Sequence, residues 1–141
     1  MKEFDLVIIG FGKAGKTLAK FASQQGQTVA VVEQSPAMYG GTCINIGCIP
    51  SKTLVKEGLK GHDFTTAMSR KRDVVEALNH KNYHNLADEE HITVFDHQAR
   101  FKSNTEVELL NSSGEVEDVV TAPHIVINTG AKAVIPDLSL I

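Results

Sequence analysis

The stretch Phe4-Asp5-Leu6-Val7-Ile8-Ile9-Gly10-Phe11-Gly12-Lys13-Ala14-Gly15 passes directly from a nearly unbroken apolar run into a glycine-rich turn. A short apolar run closed by glycine is the pattern of a parallel strand buried on both faces. From Lys13 to about Gln25, the apolar residues Ala14, Leu18, Phe21 and Ala22 recur at helical spacing, and Gly26 supplies a stop. Thr28-Val29-Ala30-Val31-Val32 then reads as a second parallel strand, ending at Glu33. Strand, turn, helix and strand make a βαβ unit. The expected fold is α/β, a Rossmann-like parallel sheet flanked by helices.

Gly10-Phe11-Gly12-Lys13-Ala14-Gly15 matches G-x-G-x-x-G, a weak signal alone but a stronger one between a strand and a helix. Gly10 would make the tight turn, Gly12 would let the backbone approach a pyrophosphate, and Gly15 would permit close helix–strand packing. The helix N-terminus at Lys13 and Ala14 offers free N–H groups and partial positive charge to phosphates. Glu33 is placed to accept hydrogen bonds from ribose hydroxyls and to repel a 2′-phosphate. The turn therefore suits FAD or NAD better than NADP, without separating the first two.

The chain has 141 residues, 42% hydrophobic and 22% charged, which corresponds to about one domain with a packed core. A net charge of -3 gives no electrostatic case for nucleic acid or an anionic membrane. The first apolar run, Leu6 to Ile9, is too short for a signal peptide or a spanning segment, so the expected compartment is the cytoplasm.

Further along, Phe64, Met68, Val75 and Leu78 lie at helical spacing between about Asp63 and Asn79, with Asp63 available as N-cap. Arg70-Lys71-Arg72 in that helix reads as a solvated face. From Ile92 the period changes to two, giving strand candidates at Ile92–Phe95, Ala99–Phe101, Glu106–Leu110 and Val116–Thr121, and Asn111-Ser112-Ser113-Gly114 as a hairpin turn. A last apolar strand, His124 to Ile127, is closed by Asn128-Thr129-Gly130. The chain stops at Ile141 straight after the apolar tail Val134–Ile141, which reads as a cut inside a larger protein.

Both cysteines lie in Gly40-Gly41-Thr42-Cys43-Ile44-Asn45-Ile46-Gly47-Cys48-Ile49-Pro50-Ser51-Lys52-Thr53. A regular helix cannot bridge them, because five residues advance about 7.5 Å and disulfide-bonded Cα atoms lie at most roughly 6.8 Å apart. Gly47 permits unusual dihedrals and Pro50 interrupts or restarts the helical ladder, so any bond between the two would be strained and reducible. A structural disulfide would close a loop too small to gain much, in a reducing compartment. A metal clip lacks the usual four-ligand set, although a two-thiolate site for a soft ion is possible. A redox dithiol accounts for the glycine, the proline and the neighbouring dinucleotide turn together.

This segment closely resembles the active-site signature G-G-T-C-x4-C-x-P-x-K of the class I pyridine nucleotide–disulfide oxidoreductases, which include glutathione reductase, dihydrolipoamide dehydrogenase and mercuric reductase. Asn128-Thr129-Gly130 resembles the family's A-T-G stretch, with Asn for the alanine, a departure of little weight if the backbone makes the contact. Gln98-Ala99-Arg100-Phe101 resembles the segment near the adenine. Ile8 to Ala19, Glu33 to Tyr39, Arg70-Lys71 and Lys81 to Asp88 look like the reactive-chlorine-resistance flavoprotein branch, which is mercuric-reductase-like.

The resemblance implies an FAD-binding domain over residues 1–141, a Rossmann-like sheet with a β-meander crossover. It implies Cys48 as the thiol against the flavin, Cys43 as the interchange thiol, and Lys52 near the flavin N5 edge. Gly10, Gly12, Lys13, Ala14, Gly15, Glu33, Gln34, Gly41, Thr42, Ala99, Thr129 and Gly130 would contact the rest of the cofactor. Electrons would pass from NAD(P)H to FAD, to the Cys43–Cys48 disulfide and then to a small-molecule or metal-ion oxidant. The NAD(P)H-binding and dimer-forming domains would follow residue 141, so the homodimer belongs to the longer parent and this piece would be inactive alone.

No residues read as a metal-ligand set. His80 and His84 have the i, i+4 spacing of a metal pair, but with no carboxylate or cysteine partner nearby in the pattern they read as an exposed helix face. The alternative to a redox half-site is a non-catalytic module, either a bare dinucleotide-binding domain or a soft-metal thiol site.

Overall fold

The computed structural model describes residues 1–136; residues 137–141, the end of the apolar tail, lie outside the described residues. Its elements run β1 (Lys2–Glu3), β2 (Leu6–Ile9), α1 (Lys13–Gln24), β3 (Val29–Val32), a 3-10 turn at Pro36–Met38, α2 (Thr42–Asn45), α3 (Cys48–Leu59) and α4 (Phe64–Ala87). Five strands follow: β4 (Ile92–Phe95), β5 (Gln98–Phe101), β6 (Glu106–Leu110), β7 (Val116–Thr121) and β8 (His124–Ile127).

Among the described residues two four-stranded sheets form. One is wholly parallel, in the order β4-β3-β2-β8. The other, β1-β7-β6-β5, contains the antiparallel meander β5-β6-β7, with β1 parallel to β7. This is the α/β architecture expected from the βαβ unit, with the meander that the family resemblance implies. Since β2 lies between β3 and β8, the chain first moves to one side of β2 and later returns to the other. That reversal opens a crevice beyond the carboxyl ends of the strands, where such sheets bind ligands.

The alternation of β2 and β3 builds two cores. Leu6, Ile8, Val29 and Val31 face the helix layer with Phe11, Ala19, Ala22, Tyr39 and Leu86. Val7, Ile9, Ala30 and Val32 face the meander with Phe95, Val107, Leu109 and Val120. All eight strand residues are buried, which explains why both strands read as continuous apolar runs.

Four local expectations change. The run from Phe4 to Ile9 divides at Asp5, whose carboxylate accepts from the Thr28 backbone N–H and hydroxyl, each at 2.8 Å. Helix α1 buries Gly15, Ala19, Ala22 and Ser23, while Leu18 and Phe21 are exposed. Small residues win that face because they let the helix lie close on the sheet. Helix α4 runs beyond Asn79 to Ala87 and buries Ala67, Asn82 and Leu86, with Phe64 exposed. Helix α3, which follows the cysteines, has no clear apolar stripe and packs against α4. The hairpin turn holds: Gly114 has φ +81°, and the Asn111 side chain accepts from the N–H groups of Ser113 and Glu115.

Candidate redox and dinucleotide site

The glycine turn is a set of contacts with no room for a side chain. Gly10 adopts φ +104°, and a Cβ there would meet the Asn128 carbonyl oxygen at 2.3 Å. At Gly15 a Cβ would meet Asn128 Nδ2 at 2.5 Å and Ile8 Cγ2 at 2.9 Å, so this glycine is where helix and strand pack closely. Gly12 is the N-cap of α1, and among the described residues no side chain caps that helix end. The first-turn N–H groups of Lys13 and Ala14 are thus left for a ligand. Asn128 itself donates from Nδ2 to the Gly10 carbonyl oxygen at 3.1 Å and lies over Gly12 and Gly15. Its side chain, given no part by the family resemblance, fills the space beneath the turn.

Glu33 closes this side of the site. Its two carboxylate oxygens accept from the backbone N–H groups of Phe11 and Ser35, each at 3.0 Å. The carboxylate therefore binds its own loop and the glycine turn, and the remaining lone pairs are what a ribose would use. Ile9, Gly10, Glu33, Gln34, Ala99 and Thr129 line a cleft of about 250 Å³ together with His97 and Gln98. The ends of β2, β3 and β8, with Ala99 from β5, thus bring five of the sequence-predicted cofactor residues into one cleft. Gly130 adopts φ +72° but does not line it.

His97 was not expected. It lines the cleft and its Nε2 lies 2.8 Å from Glu117 Oε2, while among the described residues its buried Nδ1 has no hydrogen-bond partner. The sequence signal was its position beside Gln98-Ala99, at a strand entrance from a polar loop. The Glu117 carboxyl is held below its ordinary range by the hydrogen bonds from His97 and Asn111.

The cysteine segment is fastened directly to the glycine turn. Gly41 adopts φ +78° and a Cβ there would meet Gly12 Cα at 2.8 Å. Thr42 then opens α2, which carries Cys43 and ends at Asn45. The Asn45 amide donates to the carbonyls of Tyr39 and Gly41, and the Asn79 amide of α4 donates to Asn45 and to Pro36. Asn82, buried in α4, packs against Gly40, donates to the Leu78 carbonyl at 2.6 Å and accepts from Lys16 of α1. The Tyr39 hydroxyl donates to Asp96, and burial followed by that bond pushes its pKa well above the ordinary tyrosine range.

Cys43 and Cys48 are free and exposed. The chain turns between them at Ile46–Gly47, where the N–H groups of both residues donate to the Thr42 carbonyl oxygen. Gly47 has φ -106° and ψ -95°, away from helical and extended values. Helix α3 restarts at Cys48, and Pro50 sits buried in its first turn, where a missing N–H costs no helical bond. The neighbouring Cys48 thiol pushes the Cys43 thiol up from its ordinary value. The positive charges of Lys52 and Lys16 oppose the shift. Burial, then the neighbouring Lys13 charge, lowers the Lys16 ammonium pKa. Lys52 lies on α3, a helix the sequence pattern did not announce; the part of Lys16 was not foreseen.

These features agree with what is similar elsewhere. The family model for pyridine nucleotide-disulphide oxidoreductases matches residues 4–139. Over 138 residues the chain is 51% identical to a probable pyridine nucleotide-disulfide oxidoreductase, RclA, of Escherichia coli (strain K12), covering 98% of this chain and 31% of that protein. It is 34% identical to a dihydrolipoyl dehydrogenase of Chlamydia muridarum, covering 92% of this chain and 30% of the relative. A solved structure described as a Cu(II) complex of the HOCl-induced flavoprotein disulfide reductase RclA from Escherichia coli superposes with TM-score 0.91 at 51% identity, over 96% of this chain and 30% of that one. The chain thus spans about 30% of the length of these relatives. By the matching model, the shared fold and the identity, this chain belongs to the pyridine nucleotide-disulphide oxidoreductase family.

Proposed function

We propose that residues 1–141 are the N-terminal FAD-binding and redox-dithiol part of a flavin-dependent oxidoreductase. The observation that carries this reading is the packing of Gly41 on Gly12, which makes the phosphate-binding turn and the thiol pair one site. The residues present fit a dinucleotide. The α1 N-terminus takes the pyrophosphate, Glu33 takes the ribose, and the cleft at Ala99 and Thr129 takes the adenine end. Were His97 to donate from Nε2 to Glu117, its unpartnered Nδ1 would be an acceptor suited to an exocyclic amino group.

Bound FAD would supply two-electron exchange with the thiols. On this chain, Cys43 and Cys48 lose two protons and two electrons and form one S–S bond; reduction reverses the step. Exchange with the acceptor begins at Cys43, where Lys16 and Lys52 place positive charge beside a developing thiolate. NAD(P)H would supply electrons from the remainder of a longer, homodimeric protein. The relatives' descriptions, an HOCl-induced reductase and its Cu(II) complex, favour an oxidised halogen species or a metal ion as acceptor. One two-electron oxidant or two singly reduced metal ions would balance the pair.

The test is FAD titration of the chain, followed by flavin fluorescence and absorbance. Stoichiometric uptake, with a spectrum that changes when the two thiols are oxidised and does not change in Cys48→Ser, is expected. A chain that leaves FAD free, or one whose bound flavin ignores the thiols, would sink the reading. His97→Leu should weaken FAD binding by roughly two- to twelvefold, the worth of one net hydrogen bond.

A further inference from the structure

Helix α4 continues through His80 and His84 to its C-cap Asp88, so these three residues follow at i, i+4 and i+8 on one exposed face. Their side chains are arranged in order. Asp88 lies 3.0 Å (Oδ1) and 3.2 Å (Oδ2) from His84 Nδ1, and His84 Nε2 lies 3.1 Å from His80 Nε2. With Nδ1–H donating to the carboxylate, His84 keeps its Nε2 lone pair. That is the carboxylate–histidine arrangement which orients a ligating imidazole and raises its basicity. The Tyr83 ring meets the His84 ring edge-on at 5.3 Å, further fixing it.

The separation of the two Nε2 atoms matters. Two nitrogen–metal bonds of about 2.0–2.1 Å span 3.1 Å when they meet at about 95–102°, between the octahedral and tetrahedral angles. We propose that His80 and His84 form a two-imidazole chelate for a divalent cation of the zinc, copper and nickel class, oriented by Asp88. Imidazole nitrogens select these ions over magnesium or calcium. Among the described residues no group of three His, Cys, Asp or Glu side chains is placed to hold one ion together, so water completes the coordination beside the two imidazoles. The site shares no residue with the thiol pair. Asp88, four positions after His84, was passed over in the sequence, where the histidines were read as having no carboxylate partner nearby.

The experiment is calorimetric titration of zinc alone into the full chain after both thiols have been alkylated. One zinc per chain is expected, lost in His80→Ala and in His84→Ala, and weakened about tenfold in Asp88→Asn, the lower end of the usual effect of an outer carboxylate. All three positions are exposed, so the variants should keep the native far-ultraviolet dichroism and thermal midpoint without zinc. No uptake at millimolar zinc would show that the imidazoles only share a hydrogen bond. Uptake that survives both alanine variants would place the metal elsewhere. Either result overturns the proposal.

Discussion

Single atoms decide the glycine turn and the reactivity of the outer thiol. Gly15→Ala would press a Cβ into Ile8 and the Asn128 amide, whereas Gly58 in α3 has open space around it and no positive φ. Gly15→Ala should therefore cost about 1–3 kcal/mol, the range for overpacking, while Gly58→Ala should gain about 0.4–1 kcal/mol by restricting the unfolded chain. Thermal melts of the two variants check the opposite signs. At Cys43 the neighbouring Cys48 thiol pushes the thiol pKa up from its ordinary value, and the charges of Lys52 and Lys16 oppose that shift. In the dithiol form its alkylation rate should still be rising with pH beyond the ordinary cysteine range. Lys16→Ala or Lys52→Ala should each slow alkylation near neutrality by about two- to fivefold, the range of an exposed charge pair; mass-resolved iodoacetamide kinetics with Cys48 replaced by Ser as control would measure it. Unchanged rates in both lysine variants would remove the electrostatic account. Glu33 and the glycines were legible because their spacing is fixed by one βαβ unit. Asn128 was not, since its amide reaches Gly10 across 118 positions and only the pairing of β8 with β2 brings them together.

Helices α2, α3 and α4 hold the thiols by polar clasps more than by apolar stripes. Asn79→Ala would remove the donor to Asn45 and Pro36, and each such bond is worth about 0.5–1.5 kcal/mol net. The expected result is a small loss of stability together with faster hydrogen exchange at Thr42–Ile46; protection unchanged there would mean that α4 does not restrain α2. Asp63 gives a pH-dependent test of α4 itself. Its carboxylate accepts from the Thr66 N–H at 2.8 Å, and that bond lowers its pKa from 3.8. A depressed folded pKa stabilises above the unfolded value and is lost as pH falls through the folded one. The thermal midpoint of Asp63→Ala should therefore lie a few degrees below wild type at neutral pH, and the gap should close as pH drops below 3.8. Parallel melts that keep their separation in acid would contradict this. The N-cap was legible, because Asp63 precedes a periodic run. The length of α4 and the existence of α3 were not. Their buried positions include Asn82, Glu57 and Pro50, residues that an apolar pattern passes over.

At the scale of the whole molecule, the parallel sheet is covered by helices on one face and the meander on the other, and its apolar strands announced that in advance. Which strand forms the open edge depends on strand order, which periodicity does not contain. Strand β8 is that edge: among the described residues it pairs only with β2, and its His-Ile-Val-Ile run has neither acidic nor lysine side chains nor an internal proline. Opposite it, β4 is packed by α4. An uncharged edge with unpaired N–H and C=O groups is a template for another strand. Ile127, 67% exposed at its end, adds apolar surface without helping the core. The chain should therefore self-associate as its concentration rises, and Ile127→Lys should reduce that association while changing folding stability by no more than about 0.5 kcal/mol, as surface changes usually do. Light scattering over a concentration series, paired with denaturant melts, separates the two effects. Equal scattering from both proteins would move the sticky surface away from β8, towards the exposed side chains of α3, where Val55 and Leu59 also face solvent.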